Sequence, residues 1–167
     1  AHQPAGVTLE NHSDEYVGLA VQGPECGEVF SRVIPGVKLP PRNGISRITA
    51  EGTDLIICRT GYTGEDGFEF FCPAKEGVKW FEAFLGAGAK PCGLGARDSL
   101  RLEMCYPLNG SDLSPDKTPL EAGLGFFCAL DTDFIGSDIL REQKANGLSR
   151  RLAAIEYTGK GAPPRAH

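Results

Sequence analysis

Apolar and polar positions divide the chain into short elements. Val17 to Gln22 is a compact, largely apolar run that stops at Gly23-Pro24 and reads as a strand. Pro24 suits the first turn of a helix. Cys26, Val29, Phe30 and Val33 then follow at helical spacing until Pro35-Gly36 ends the run. Residues 35–45, rich in proline and glycine, read as a loop. Two strand-like segments, Ser46–Glu51 and Asp54–Arg59, flank Gly52-Thr53 and predict a β-hairpin. After a glycine-punctuated loop, Phe68–Cys72 is a strand by its aromatic content. Val78, Trp80, Phe81, Phe84 and Leu85 give a helix over 74–86 a wide apolar face, and Gly86 and Gly88 mark its end. A further helix is predicted from Leu94 to Cys105, with Leu94, Leu100 and Met104 apolar. Residues 107–119 form a polar loop and Phe126–Leu130 a strand. Ser137 caps a helix running to Asn146 with Gly147 just past its end, and Leu152–Tyr157 is a last strand. Strict βα alternation is missing, which predicts an α+β fold with helices packed on mainly antiparallel sheet.

Composition narrows the function classes. The chain has 167 residues, 41% hydrophobic and 23% charged, which fits an ordinary globular chain. Its 17 Lys and Arg against 22 Asp and Glu give a net charge of −5. No basic stripe of the kind that binds nucleic acid is present, the strongest cationic cluster being Arg150-Arg151. No apolar run approaches the roughly 20 residues that cross a bilayer, and Ala1-His2-Gln3-Pro4 shows no secretory pattern. The six cysteines are widely spaced, and Cys58 and Cys72 sit inside strand-like runs as small hydrophobes. With no CxxC pair and only three His residues, no metal site is expected, and the thiols read as free and intracellular.

Three segments could carry chemistry. In Arg59-Thr-Gly-Tyr-Thr-Gly-Glu-Asp-Gly-Phe-Glu69, three glycines at three-residue spacing permit tight turns. The segment lacks the Lys-Ser or Lys-Thr of a phosphate loop and the alternating acidic ligands of a calcium loop. Strand alternation places Phe68 and Phe70 on one face and Glu69 with Phe71 on the other. A carboxylate there either meets solvent or accepts two adjacent N–H donors of a flat heterocycle. In Gly93-Leu-Gly-Ala-Arg97-Asp98-Ser-Leu-Arg101-Leu-Glu103, Arg97 and Arg101 are four apart on one helix face and Asp98 can pair with Arg101. That cluster is either a surface ion-pair patch or a site for an anionic ligand. Asp116-Lys-Thr118-Pro-Leu-Glu121-Ala-Gly-Leu124 reads as a structural anchor.

In this order the three segments resemble R-x-G-Y-T-G-E-D-G-x-E, G-L-x-A-R-D-[ST]-L-R-L-E and T-P-[VL]-E-A-G-L of the aminomethyltransferase (glycine-cleavage T-protein) family. Leu19-Ala-Val-Gln-Gly-Pro24 is similar to its L-A-x-Q-G-P, and Phe134-Ile-Gly136 to its F-I-G. The resemblance runs from about residue 13 to the end and is to the family's middle portion. It implies tetrahydrofolate as cofactor, with Glu69 on the pterin ring and Tyr62 lining the same pocket. Arg97 would contact either the folate or the aminomethyl end of a lipoyl group. Arg101, Glu65 and Asp66 rank as supporting candidates. The implied reaction moves a one-carbon unit from the aminomethyl-lipoyl group of a lipoylated carrier protein to tetrahydrofolate, releasing ammonia. The family's acidic catalytic Asp is expected upstream of this chain and its C-terminal β-barrel downstream. Residues 1–157 are then a central folate-binding α+β region and 158–167 the truncated lead-in to the barrel, so the isolated chain is expected to be inactive. Met104-Cys-Tyr-Pro107 departs from a stretch that is small and apolar in the family. The expected compartment is the cytoplasm, or the mitochondrial matrix in a eukaryote. Two other readings remain: the folate domain of a dimethylglycine- or sarcosine-oxidising enzyme, and a non-catalytic binding module.

Overall fold

Period-two alternation gives each of four strands one face to bury, and an antiparallel sheet with helices on a single side is what results. The structure, a computed structural model, describes residues 5–161. Ala1-His2-Gln3-Pro4 and the last part of the lead-in segment, 162–167, lie outside the described residues. The chain divides into two compact units, Ala1–Met104 and Cys105–His167.

The first unit holds β1 (Tyr16–Gln22), β2 (Ile45–Ala50), β3 (Thr53–Cys58) and β4 (Gly67–Pro73), in sheet order β1-β4-β3-β2. Every neighbouring pair is antiparallel. The helices α1 (Cys26–Val33) and α2 (Gly77–Gly86) cover one face. Leu55, Ile57, Phe68, Phe70 and Cys72 meet Cys26, Val29 and Phe30 of α1 and Trp80 and Phe84 of α2 in the core. Phe70 packs edge-on to Phe84 at 5.1 Å and tilted to Trp80 at 5.2 Å, while Phe68 meets Phe30 edge-on at 5.2 Å. Each such ring contributes about 1.5–3 kcal/mol through burial, and each ring pair about 0.5–1.5 kcal/mol more. The α+β antiparallel class read from the sequence is the one observed.

Several local expectations need correction. The hairpin turn is Glu51-Gly52, with φ of 50° and 73°, and Thr53 already pairs with Ala50. A two-residue turn of this hand needs positive φ at both central residues, which glycine accepts and β-branched Thr resists. On α2 only Gly77, Trp80 and Phe84 are buried, while Val78 is 72% exposed, because a short helix resting on one sheet face buries a single stripe. The helix α3 (Leu94–Glu103) reverses the expected polarity, with Leu94 exposed and Arg101 buried.

The second unit contains α4 (Ser137–Asn146) and long irregular segments. Its buried side chains are few, namely Glu121, Ala122, Ser137 and Leu140 among the described residues. Phe126–Leu130 is no strand: Gly125–Phe127 forms a 3-10 turn whose hydrogen bonds are local, Cys128 N–H donating to Gly125 O at 3.1 Å. Leu152–Tyr157 is no strand either; Leu152 N–H reaches Glu121 O at 2.7 Å, and the segment joins no ladder. The N-cap of α4 is Gly136 at φ 90°, so Ser137 is the first helical residue and its Oγ accepts the Phe134 N–H at 3.5 Å. Arg141 fastens this helix to the preceding loop through the carbonyls of Leu130 and Thr132 and the carboxylate of Asp133, and pairs within the helix with Asp138.

The Thr118–Glu121 stretch is the anchor that its sequence suggests. Glu121 accepts the Thr118 N–H at 2.8 Å and the Thr118 hydroxyl accepts the Glu121 N–H at 3.2 Å, the reciprocal pattern of a capping box. Thr118 also donates to Gln143 at 2.7 Å, and Arg150 Nε donates to Glu121 at 2.9 Å. The Arg150 hydrogen bond, followed by that from Thr118, holds the Glu121 carboxyl below its ordinary range.

Candidate functional site

The site grows from the face of the sheet that the helices leave open. Along β4, Phe68, Phe70 and Cys72 are buried, and Glu69, Phe71 and Pro73 alternate with them on the other side. Because β4 is an inner strand, Glu69 has lateral neighbours on both flanks, Ala20 of β1 and Cys58 of β3. Neither offers a strong hydrogen-bond donor. The donor comes from the loop that enters β4: the Thr60 hydroxyl donates to Glu69 Oε2 at 2.5 Å.

That loop, residues 59–66, is held at both ends. Arg59 donates through Nε and Nη2 to the two carboxylate oxygens of Asp66 at 3.0 and 2.5 Å. The guanidinium keeps the Asp66 carboxyl below its ordinary value. Asp66 also accepts the Gly67 N–H on its side chain and the Gly23 N–H on its carbonyl. Underneath lies Gln22, whose Nε2 is 3.2 to 3.3 Å from the carbonyls of Val21, Thr60 and Phe68, and whose Oε1 accepts the Thr63 hydroxyl at 3.2 Å. A Cβ at Gly61 would lie 1.9 Å from Gln22 Oε1, and one at Gly67 would lie 2.5 Å from its amide. A Cβ at either glycine would push the end of the Gln22 side chain out of these hydrogen bonds.

Tyr62 sits near the tip of the loop, half-buried. The Arg97 guanidinium from the first turns of α3 lies over its ring, 4.9 Å from the centroid. The structure thus brings Tyr62 and Arg97 together and ties Glu69 to the same loop through Thr60, two residues before Tyr62. Arg101, four residues beyond Arg97, is turned inward and pairs with Asp98 at 2.8 Å. Asp66 is committed to Arg59, and Glu65 is exposed with its N–H directed at the Thr63 hydroxyl at 3.4 Å. The supporting candidates from the sequence are thus structural or peripheral. Thr60 and Gln22 escaped sequence reasoning. The available signal was Gln22 itself, a carboxamide ending an apolar strand, with no partner until the fold places Gly61 and Gly67 against it.

A separate hollow of about 360 Å3 lies between α1, α2 and the β2–β3 turn, lined among others by Arg32, Glu51, Lys79 and Trp80. It is on the helix side of the sheet and shares no residue with the Glu69 face. Among the described residues, no group of three or more His, Cys, Asp or Glu could hold a metal ion, and no helix is long and apolar enough to cross a membrane. All six cysteines are free.

Residues 1–132 match the family model described as GCVT N-terminal domain. The chain belongs to the GCVT N-terminal domain family. Relatives of this GCVT chain include the aminomethyltransferase of Geobacillus kaustophilus strain HTA426, 43% identical over 170 residues that make up 97% of this chain and 47% of that protein. The aminomethyltransferase of Bacillus mycoides strain KBAB4 is 41% identical over 175 residues, 100% of this chain and 48% of that protein. Among solved structures, the glycine cleavage system aminomethyltransferase T from Bartonella henselae matches with a TM-score of 0.69 and 35% identity, over 81% of this chain and 38% of that one. The GCVT chain spans about half the length of the curated relatives it matches.

Proposed function

We propose that this chain forms the tetrahydrofolate-binding part of a glycine cleavage aminomethyltransferase. The complete enzyme would move the one-carbon unit of an aminomethyl-lipoyl group, presented by a lipoylated carrier protein, to tetrahydrofolate, with release of ammonia. The observation that carries this reading is Glu69, a carboxylate on the open face of an inner strand, oriented by Thr60 beneath a loop that presents Tyr62. Family membership and the names of the relatives support it and favour it over a dimethylglycine- or sarcosine-oxidising enzyme.

The residues fit a pterin. Ala20 beside Glu69 is small and leaves the carboxylate open from the β1 side. A carboxylate held in this way can accept the two adjacent N–H groups of the heterocycle as a pair. The Tyr62 ring, stiffened by Arg97 above it, offers a flat apolar wall. Arg97 is cationic, so it repels a protonated aminomethyl amine and attracts the oxygen acceptors of folate, which assigns it to the folate side. Tetrahydrofolate, when bound, supplies the ring nitrogen nucleophiles that take up the carbon. No residue of this chain is assigned the acid–base role. Residues 1–157 then serve as the folate-binding region and 158–167 as the lead-in to a barrel, and free cysteines are in keeping with bacterial cytoplasm or mitochondrial matrix as the compartment.

Calorimetric titration of tetrahydrofolate into the complete protein carrying this chain tests the assignment. Glu69→Gln keeps the shape but replaces one acceptor by a donor, and is expected to weaken binding about a hundredfold. Unchanged affinity in Glu69→Gln and in Arg97→Met would refute the site.

A further inference from the structure

The geometry points to Gln22 as the positioning residue of this site, a carboxamide that sets the Thr60–Tyr62 segment against Glu69 without touching the ligand. The inference rests on the folate-site reading above and adds to it a residue that the reading does not use.

Gln22 ends β1, and its side chain lies on the same sheet face as Ala20 and Glu69. Its amide is shared among carbonyls from three places: its own strand at Val21, the loop at Thr60, and β4 at Phe68, the residue before Glu69. Its carbonyl takes the hydroxyl of Thr63. Thr60 and Thr63 bracket Tyr62, so one planar group grips both sides of the loop tip and the strand that carries the carboxylate. The orientation of the carboxamide is fixed by chemistry, because flipping it would set its oxygen against three carbonyl oxygens.

Loop and carboxamide are matched in shape as well. A Cβ on Gly61 or Gly67 would lie 1.9 or 2.5 Å from the end of the Gln22 side chain and would push the carboxamide aside. A shift of the carboxamide therefore moves Thr60, whose hydroxyl holds Glu69, and Tyr62, which carries Arg97. No similar side chain does the same work. Glu has no N–H for the Thr60 and Phe68 carbonyls, Met fills the volume without a donor, and Asn is one methylene too short.

The test uses the complete protein carrying this chain, with tetrahydrofolate as the titrant, at a temperature where circular dichroism shows every variant folded. Gln22→Glu and Gln22→Met are expected to raise Kd and KM for tetrahydrofolate about tenfold or more, since small displacements of an oriented group are strongly felt. Gly61→Ala, pressing on the same carboxamide, is expected to give a similar defect. Combining it with Gln22→Met should add little, as expected for two lesions in one contact. Rescue by Gln22→Asn should fail. The inference is overturned if the Gln22 variants lower the melting temperature but leave Kd and KM within twofold while Glu69→Gln weakens binding in the same assay. If Glu69→Gln itself has no effect, the site reading falls and takes this inference with it. Should Gln22→Glu not fold, Gly61→Ala is read in its place against the same two results.

Discussion

Replacing Thr60 by Val removes one hydroxyl and changes little else. The hydroxyl lies 2.5 Å from Glu69 Oε2, a short bond from a neutral donor to a charged acceptor. Bonds of that class contribute about 1.5–3 kcal/mol. Glu69 is half-buried, so water can replace part of the loss, which puts the expected effect near the lower end, about 1.5 kcal/mol. Val is close to Thr in volume and equally β-branched, so the backbone of the loop has no reason to move. If the hydroxyl serves to aim the carboxylate at a ligand, this free energy appears in binding, as a rise in tetrahydrofolate Kd of about tenfold. If the bond serves only to fasten the loop, the same free energy appears in unfolding. Titration calorimetry and urea denaturation of the same variant separate the two. A Kd within twofold of the parent, with the unfolding free energy lowered by the full amount, would refute the claim that Thr60 orients Glu69 for binding.

Other outcomes follow from the same geometry. Phe70→Ala empties a site at the centre of the aromatic layer, between Phe84 and Trp80, and is expected to destabilise the first unit by about 3–5 kcal/mol in equilibrium urea unfolding. The Arg59–Asp66 clamp depends on a carboxyl whose pKa in the folded chain is depressed below its ordinary 3.8. Its small contribution is present above that value and is lost as pH falls through the depressed one. Proteolysis within 59–66 should therefore stay slow at pH 5 and rise below pH 3.8 before global unfolding, an effect absent in Asp66→Asn. Native thiol labelling should modify the exposed Cys92 and Cys105 first and Cys26 and Cys72 last, because burial both hides the latter and pushes their pKa up. Early labelling of Cys72, read by peptide mass mapping, would show that the core is looser than the packing implies.

The sheet and its two covering helices were legible because their residues follow one period each. Glu69 between Phe68 and Phe70 already announces which face it takes. The misread elements lack that internal evidence. Phe126–Leu130 and Leu152–Tyr157 are apolar enough for strands, but a strand exists only with a partner, and pairing is a property of the fold rather than of the segment. On α3 the apolar residues pointed to a buried side that the structure gives instead to Arg101, satisfied by Asp98. The proposed site is half visible in the sequence. Its charged and aromatic members stand out by type, whereas Gln22 and Thr60 are ordinary polar residues whose importance arises from neighbours 38 and 9 positions away.

The antiparallel register of β4 has a consequence for how such a chain can change over generations. Each residue of this strand is committed either to the aromatic layer or to the open face, and both flanks are locked to neighbours. Inserting or deleting one residue beside Glu69 would break the alternation there, turning either the carboxylate inward or a core phenylalanine outward. Open face and core are thus inherited as one block. Length variation should be confined to a connection that carries no such parity, such as the 34–44 loop. Within β4, change can proceed only by substitution at fixed spacing, so that a lineage could alter the chemistry of the open face while the count of residues beneath it stays frozen.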